Sequence, residues 1–396
     1  MKTDNYEQNS LNPSAAIQSR LENPIPESPD SLRAKNKRIC VINSFLDGRE
    51  KDCDLGLYPR HQLWGSDALQ RHGYSVETIP SVIGTDNWMR RLLCCLTAAT
   101  RLRLGNMDQE FQAITKLRTY DAIYGVSYQD IFLLTWLRKL KLIKAKILVW
   151  AYTKLIKMPR LHELVRPETF YRGIDGVLCL TQKAVDGYAK IAPQAVVRKI
   201  DWGADLDMFQ PRNRVGEYFL ACGRSQRDYD TLLKAAAKIR FPIKLIIPKS
   251  VLSKTPLPPN VEFIGGPNDP SSDRGIPYRE FVDPHLANCR AVLVPLLEDC
   301  NTSAGFTNSI EAFAVAKPVI MTRTGCLDLD LANTGSGLYV ESGDVDGWVR
   351  AMNLLAADPA LAQEMGRRGR NRAEVHFNSE RFGRDVCKFF DLCIYQ

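Results

Sequence analysis

Short hydrophobic runs alternate with stretches of helical periodicity through the first half of the chain. His61–Arg71 and Asp130–Leu142 place apolar residues at the spacing of one helix face. Strands that alternate with helices are typical of α/β folds with a parallel sheet. The runs that predict strands in this half are Arg38–Asn43, Ser75–Ile79, Ala122–Val126, Ile147–Trp150 and Gly176–Leu180.

The same alternation restarts in the second half, after the turn-rich stretch Asp201–Arg214. Helical periodicity appears at Tyr229–Lys238, at Ser309–Ala316 and over the long region Ala351–His376. We therefore expect two Rossmann-like, doubly wound parallel-sheet domains that face each other across a cleft, with ligands at the carboxyl ends of the strands. The strands predicted here are Tyr218–Cys222, Lys244–Ile247, Val261–Ile264, Ala291–Val294 and Pro318–Met321.

A length of 396 residues is enough for two domains of ordinary size. Residues 1–36 are polar and rich in Asn, Ser and Pro, which predicts a flexible tail. We expect one domain over residues 37–205 and a second over residues 206–376. Residues 377–396 are predicted to form a closing helix that crosses back to the first domain.

The basic residues are concentrated in the first half. The chain has a formal net charge of +8, yet residues 1–200 hold 30 basic and 20 acidic side chains. This surplus fits an anionic membrane, a phosphorylated acceptor or nucleic acid, and it fits a solubilising surface equally well. Two segments are both basic and apolar, Trp88–Leu104 and Leu134–Trp150. This composition is found in amphipathic helices at membrane interfaces, and it is also found in ordinary helices that pack on a sheet with their lysines pointing outward. Neither has a nucleic-acid recognition pattern, so no nucleic-acid partner is expected.

The cysteines and the hydropathy profile indicate the compartment. Eleven scattered cysteines without a Cys-x-x-Cys pair argue against a zinc or thioredoxin-like site and favour a reducing environment. No secretory signal and no run of 18 apolar residues is present. The sequence predicts a cytoplasmic protein, with peripheral contact to the inner membrane face left open.

The first candidate for chemistry is the segment LVPLLEDCNTSAGFTNSIEAFAVAKPVIMT, Leu293 to Thr322. It predicts a strand, a polar loop over residues 301–308, a helix and another strand. The amides at a helix start, with the helix dipole, form a ready site for anions. Glu311 lies about one turn into this helix, where its carboxylate can accept hydrogen bonds from ribose hydroxyls or simply complement the dipole.

Two further loops follow predicted strands. One strand ends at Gly223, and Arg224 and Arg227 come directly after it. Two guanidinium groups at that position can neutralise a diphosphate, although solvated loop arginines would look the same. A second strand, in PPNVEFIGG, ends at Gly265, where a glycine permits close approach of a base ring or forms a plain turn.

In this order, the segments resemble the retaining glycosyltransferases of the GT-B fold, especially glycosyltransferase family 4. The resemblance starts near residue 37 and covers nearly all of the chain after it. The segments that carry it are RHGYSVETI, WGADLDMFQP, GRSQRDYDTLL, PNVEFIGG, IEAFAVAKPVIMT with TRTG, GLYVESGDVDGWVRAMNLL and HFNSERFGRDVCKFF.

The resemblance implies roles for the matching positions. Glu311 matches the second glutamate of the family's paired motif, which holds the donor ribose. Arg224 matches the arginine on the donor diphosphate, and Arg227 stands where the family usually has a lysine with the same task. Gly56 falls near the glycine loop of the first domain, and Gly265 near the base. The residues whose backbone amides would contact the phosphates are Gly305, Phe306, Thr307 and Asn308.

Two positions depart from the family. Ser303 stands where the first glutamate of the pair contacts the transferred sugar, which puts sugar identity and activity in question. After the strand Ile147–Trp150 the family often has a histidine, and this chain has Tyr152 and Thr153. His61 either faces the cleft or, as its helical spacing favours, lies on a helix surface.

The resemblance implies a hexosyltransferase-type enzyme that transfers sugar from a nucleotide-diphosphate donor with retention, in polysaccharide or glycoconjugate assembly. No cofactor or essential metal is expected: Asp205 and Asp207 form a turn in the linker, and Asp328 and Asp330 are interpreted as plain surface. Nucleotide-sugar donor and a carbohydrate or lipid-linked acceptor are the expected partners. A nucleotide-sugar epimerase and an inactive nucleotide-sugar binder remain alternatives.

Overall fold

The computed structural model describes residues 37–43, 49–80, 95, 107–126, 131–151, 171–212, 214–249, 252, 256–265, 276–300 and 302–395. Within these ranges the chain forms two six-stranded parallel sheets flanked by helices. The predicted α/β architecture with two doubly wound domains is therefore confirmed. Parallel strands need helical crossovers, which cover both faces of each sheet and bury its strands.

The first sheet has the strand order β2-β1-β3-β4-β5-β6. Its central strands are buried apart from Arg38 and Lys146, which begin two of them, as their apolar runs predict. The strands are β1 (Arg38–Ile42), β2 (Ser75–Ile79), β3 (Ala122–Gly125), β4 (Lys146–Ala151), β5 (Gly176–Cys179) and β6 (Val196–Lys199). The helices described here are α1 (Arg49–Asp54), α2 (Ser66–His72), α3 (Met107–Thr115), α4 (Leu133–Lys139) and α5 (Gln182–Ile191), with 3-10 helices at Arg60–Leu63 and Leu117–Thr119.

The second sheet has the order β12-β11-β10-β7-β8-β9, so the direction of strand addition reverses between β7 and β10. Its strands are β7 (Phe219–Cys222), β8 (Ile243–Ile246), β9 (Val261–Phe263), β10 (Val292–Val294), β11 (Val319–Thr322) and β12 (Gly337–Val340). The helices are α6 (Tyr229–Ala236), α7 (Tyr278–Phe281) running into a π-helix (Val282–Leu286), α8 (Phe306–Ala314), α9 (Leu331–Thr334), α10 (Val345–Ala357), α11 (Pro359–Val375) and α12 (Ser379–Tyr395).

The last helix, α12, packs on the first domain rather than the second. Phe389 is fully buried, and its ring lies so close to Gly176 of β5 that a Cβ there would be 2.8 Å from Cζ of the ring. Asp391 accepts hydrogen bonds from the Tyr74 hydroxyl at 2.5 Å and from Nε2 of His72 at 3.0 Å. The closing segment of the chain is thus part of the core of the first domain.

One prediction about a helix in the first half is wrong. The predicted helix His61–Arg71 is broken because Trp64 and Gly65 both adopt positive φ, at 56° and 82°. The basic and apolar stretch Leu134–Trp150 is divided between the seven-residue α4, within the predicted helix Asp130–Leu142, and the buried strand β4, which contains the predicted strand Ile147–Trp150. The other basic segment, 88–104, lies outside the described residues except for an exposed Cys95.

The linker between the domains is fixed by Asp205. Its Oδ1 accepts hydrogen bonds from the amides of Asp207 and Met208, and its Oδ2 accepts one from the amide of Arg60 at 2.8 Å. Both carboxylate oxygens therefore hold backbone of the turn and of the first domain, as expected of a structural Asp-x-Asp.

A second connection between the domains involves Asp328, which is exposed, as the interpretation of this residue as surface expects. Its Oδ2 accepts a hydrogen bond from the amide of Gln182 at 2.9 Å and lies 3.4 Å from Nζ of Lys199. Gln182 is the first residue of α5, so the carboxylate also complements that helix dipole.

No helix in the described part of the chain is long and apolar enough to span a bilayer.

Candidate functional site

The predicted phosphate-binding residues lie where the strand order of the second sheet reverses. Gly223 follows β7, and the loop that leads into α8 follows the neighbouring strand β10. Ligands of doubly wound sheets bind in the crevice at such a reversal, beyond the carboxyl ends of the strands. Topology alone therefore brings the two candidate loops together.

The two loops are joined by backbone hydrogen bonds. The amide of Asp228 donates to the carbonyl of Pro295 at 3.2 Å, and the amide of Leu297 donates to the carbonyl of Gln226 at 3.1 Å. Gln226 adopts a positive φ of 56°, which turns the chain sharply after Arg224. This pairing fixes the position of Arg227 between the two loops.

The Arg227 guanidinium lies at the N-terminal end of α8. Its Nη2 donates to Oδ1 of Asn308 at 2.5 Å, and its Nη1 donates to the carbonyl of Ser225 at 2.6 Å. Its Nε is buried and has no acceptor among the described residues. A buried, unpaired guanidinium N–H costs free energy unless a ligand or water accepts from it. Arg227 therefore keeps a positive charge, with a hydrogen-bonding capacity that is not fully used, at the end of α8.

Gly223 is required by this arrangement on two grounds. Its φ of +99° is strained for any residue with a side chain. A Cβ there would also lie 2.6 Å from Nη2 of Arg227 and 3.1 Å from Oδ1 of Asn308. The glycine thus gives the arginine its place at the helix end.

The N-terminus of α8 offers amides next to this guanidinium. Gly305 precedes the helix with a φ of 90° and provides no side-chain cap. The amide of Phe306 donates to the carbonyl of Ser303 at 3.1 Å and is thereby occupied. The amides of Thr307 and Asn308, on half-buried residues of the first turn, have no acceptor within the helix. Of the predicted phosphate amides, these two are the best placed to bind an anion.

Arg227 and Glu311 act on a common neighbour, Cys222, the last residue of β7. Its thiol accepts a hydrogen bond from Nδ2 of Asn308 at 3.2 Å. The pKa of this thiol is raised to about 12, chiefly by burial and then by the Glu311 carboxylate, while the Arg227 guanidinium acts to lower it. Cys222 is therefore a neutral packing residue that is close enough to both charged groups to be affected by them.

Glu311 is buried, with 2% of its surface exposed. Its Oε1 lies 3.2 Å from Nε2 of His61, in the first domain, and accepts a hydrogen bond from the Tyr278 hydroxyl at 3.4 Å. Both contacts are made to the same oxygen. The structure thus places Glu311 at the junction of the two domains, beside the strand that leads to Gly223.

The remaining predicted residues lie at different distances from this cluster. Arg224 is exposed on the same loop as Arg227. Gly265 follows β9, two strands from β7 and so about 10 Å away, with open space around its Cβ position. Gly56 lines an interdomain cavity of about 540 Å³ beside Tyr58, a cavity whose lining includes none of the predicted phosphate-binding residues. The structure does not bring Gly56 to the helix end.

The prediction that His61 is a helix-surface residue is wrong. It is 1% exposed, because the break at Trp64 and Gly65 turns the 3-10 helix toward the linker. A glycine in the middle of the periodic stretch was the signal for this break. Tyr278 had no signal in the sequence, because its place beside Glu311 depends on tertiary packing alone.

Among the described residues, no group of three or more His, Cys, Asp or Glu side chains could hold a metal ion. A metal-independent site stays a prediction.

Substitution of Gly223 by alanine should weaken binding of a nucleoside diphosphate by about tenfold, because the new methyl group would displace Arg227. Gly343→Ala is a matched control: Gly343 has a φ of +69° and nothing within 4 Å of its Cβ position. Gly223→Ala should lose more thermal stability than Gly343→Ala, because its φ of +99° lies outside the left-handed helical region and its Cβ would meet Arg227. Calorimetric titration should show the affinity loss in Gly223→Ala alone, and equal affinities would contradict this role.

No known protein-family model matches the chain. Part of the chain is similar to two curated proteins. It is 40% identical over 78 residues to the capsular polysaccharide biosynthesis glycosyltransferase CapM of Staphylococcus aureus, which is 19% of this chain and 20% of that protein. It is 34% identical over 85 residues to a D-inositol 3-phosphate glycosyltransferase of Streptomyces avermitilis, 22% of this chain and 18% of that protein. The matched stretches thus span about a fifth of each relative.

Similarity to solved structures extends over nearly the whole chain. Sucrose-phosphate synthase from Thermosynechococcus elongatus has a TM-score of 0.64 and 16% identity, over 91% of this chain and 99% of that one. Anabaena Alr3699/HepE in complex with UDP-glucose has a TM-score of 0.56 and 12% identity, over 90% and 99%. At these identities the likeness bears on the fold, and the fold of this chain is GT-B.

Proposed function

We propose that this protein is a glycosyltransferase that transfers a sugar from a nucleotide-diphosphate donor to an acceptor hydroxyl, with retention of anomeric configuration. The observation that carries the proposal is the Arg227 guanidinium at the N-terminus of α8, with a buried Nε that has no acceptor among the described residues. This combination of charge and amides suits a diphosphate at the strand reversal. The names of the two curated relatives support the same reaction class.

In the proposed mechanism the bond between the anomeric carbon and the diphosphate oxygen breaks first. Positive charge develops on the sugar, and negative charge on the leaving phosphate. That negative charge is stabilised by the guanidinium groups of Arg227 and Arg224 and by the amides of Thr307 and Asn308. Such electrostatic stabilisation of the transition state is the largest single contribution to catalysis in many enzymes. A phosphate oxygen then takes the proton of the acceptor hydroxyl on the same face of the sugar, and the hydroxyl oxygen bonds to the anomeric carbon.

The donor nucleotide is proposed to extend along the carboxyl edge of the second sheet. Its diphosphate lies at the end of α8, and its base lies near Gly265, whose surroundings are open. Glu311 holds the ribose hydroxyls through its second carboxylate oxygen. UDP-glucose bound to the HepE structure supports a nucleotide sugar as donor. The acceptor is proposed to be a carbohydrate or a lipid-linked sugar, by analogy with the polysaccharide named for CapM.

Ser303 favours a second candidate, a protein that binds a nucleotide sugar without turning it over. A hydroxyl in place of a carboxylate removes one charged contact to the transferred sugar. Its carbonyl instead caps the first turn of α8 by accepting from the amide of Phe306. The two candidates share the donor site and differ only in chemistry.

A thermal-shift screen with UDP, GDP, ADP and their sugars tests the donor site. A ligand at 100 times its dissociation constant should stabilise the protein by about 2.7 kcal/mol, which raises the melting temperature by a few degrees. Glu311→Ala and Arg224→Ala should each abolish most of this shift. Donor hydrolysis by the same samples separates the candidates, since the binder shows a shift without turnover. No shift with any nucleotide would overturn both.

A further inference from the structure

We propose that His61 is a positioning residue for the donor site, which orients the Glu311 carboxylate and makes that orientation depend on the linker between the domains. This inference rests on the proposed function, because it takes Glu311 to be the group that holds the donor ribose. His61 itself would not touch the donor. It would act by donating a hydrogen bond to Glu311 from the opposite domain.

The first step is the tautomer of the His61 ring. The backbone amide of Asp205 donates to Nδ1 of His61 at 3.1 Å. A nitrogen that accepts from a fixed N–H carries no proton, so the proton of the neutral ring is on Nε2. Nε2 therefore donates to Oε1 of Glu311, 3.2 Å away. The backbone amide of Asp205 thus sets the direction of the hydrogen bond between His61 and Glu311.

The second step is the packing that fixes the position of the His61 ring. Its centroid lies 5.7 Å from that of Trp202, edge-on, and 5.6 Å from that of Phe209. Nε1 of Trp202 also donates to the carbonyl of His61 at 2.9 Å. Trp202, Asp205 and Phe209 all belong to the predicted linker stretch 201–214. His61 is thus held mainly by the linker, although it belongs to the first domain.

The third step concerns the two oxygens of the Glu311 carboxylate, of which one accepts both hydrogen bonds. Oε1 accepts hydrogen bonds from both His61 and Tyr278. The Tyr278 hydroxyl in turn accepts a hydrogen bond from Nε2 of Gln62 at 3.3 Å. With one oxygen occupied by donors from both domains, the carboxylate cannot rotate freely. Its second oxygen is then presented in one direction to a ligand. A shift of the linker would move His61 and release that orientation.

The experiment compares UDP, GDP and ADP with inorganic pyrophosphate as ligands of the full chain. In His61→Leu, which removes the donor and keeps an apolar side chain, affinity for the nucleoside diphosphate should fall about tenfold. Affinity for pyrophosphate should not change, because pyrophosphate has no ribose for Glu311 to hold. His61→Gln should restore most of the lost affinity, because its amide can donate from nearly the same position as Nε2.

The control is His376→Leu, the same change at an exposed histidine, which should leave both affinities as in the wild type. Equal loss for nucleotide and pyrophosphate in His61→Leu would mean a general packing role and would overturn the inference. So would wild-type nucleotide affinity in that variant, or no recovery in His61→Gln. If the wild-type chain binds pyrophosphate but no nucleotide better than pyrophosphate, the proposed function itself fails. Nucleotide binding by the wild type with none of the His61 effects rejects the inference alone.

Discussion

Arg227→Ala should lower kcat/KM for the donor by about 100-fold to 1000-fold, because removal of one preorganised donor to developing negative charge costs that much in comparable sites. The effect should appear in kcat as well as in KM, since the charge on the phosphate grows as the sugar bond breaks. The position is sensitive because Arg227 is held between two loops by its hydrogen bonds to Asn308 and Ser225. Steady-state kinetics with the donor found in the screen measures it.

Two further variants make the Arg227 result interpretable. Arg227→Lys keeps the charge but loses the forked geometry, so its activity should lie between those of wild type and alanine variant. Arg367→Ala removes an exposed arginine of the same domain that pairs with Glu364 on α11, and its kinetics should match the wild type. Wild-type activity in Arg227→Ala would exclude the α8 end as the diphosphate site.

Phe389→Ala should lower the free energy of unfolding by about 3–5 kcal/mol, the usual cost of removing a fully buried aromatic ring. Phe389 has no exposed surface and fills the space above Gly176 on β5. The substitution would leave a cavity between α12 and the first sheet. Urea denaturation followed by tryptophan fluorescence should report the change, since Trp150 lies in the same sheet and packs against Phe382 of α12.

A second substitution, at Gly176 of β5, tests the same contact between α12 and the first sheet. Gly176→Ala would place a Cβ 2.8 Å from the Phe389 ring and 2.7 Å from Cδ2 of Leu148, so it should also destabilise the protein, by about 1–3 kcal/mol. Val375→Ala, at the exposed end of α11, should have little effect. A Phe389→Ala variant as stable as Val375→Ala would mean that α12 contributes nothing to the first domain.

The sequence pattern was sufficient for ten of the twelve strands formed by the described residues, because most of these strands are buried on both faces and appear as continuous apolar runs. The two that were missed, Val196–Lys199 and Gly337–Val340, are at sheet edges, and their runs are short and only partly buried. The broken helix after Arg60 was missed because its other residues keep helical spacing. Periodicity does not reveal that Trp64, a non-glycine residue, adopts positive φ.

The site was predictable to the extent that it is local. Gly223, Arg227 and Asn308 come from loops that follow strands, and their meeting follows from the strand order. His61 and Glu311 are 250 positions apart in the sequence. Their contact depends on how the linker positions the two domains relative to each other. No spacing rule in a single sequence reports such a contact, so the histidine was assigned to the surface.

The return of α12 to the first sheet affects how the chain folds as it is made. Domains usually fold in turn as they leave the ribosome, the first one first. Here the surface of β5 that receives Phe389 stays uncovered until residues 379–395 have left the exit tunnel. The first half of the protein therefore completes its core only after the second half has been synthesised, and nascent chains would expose this apolar surface while the second half is being made.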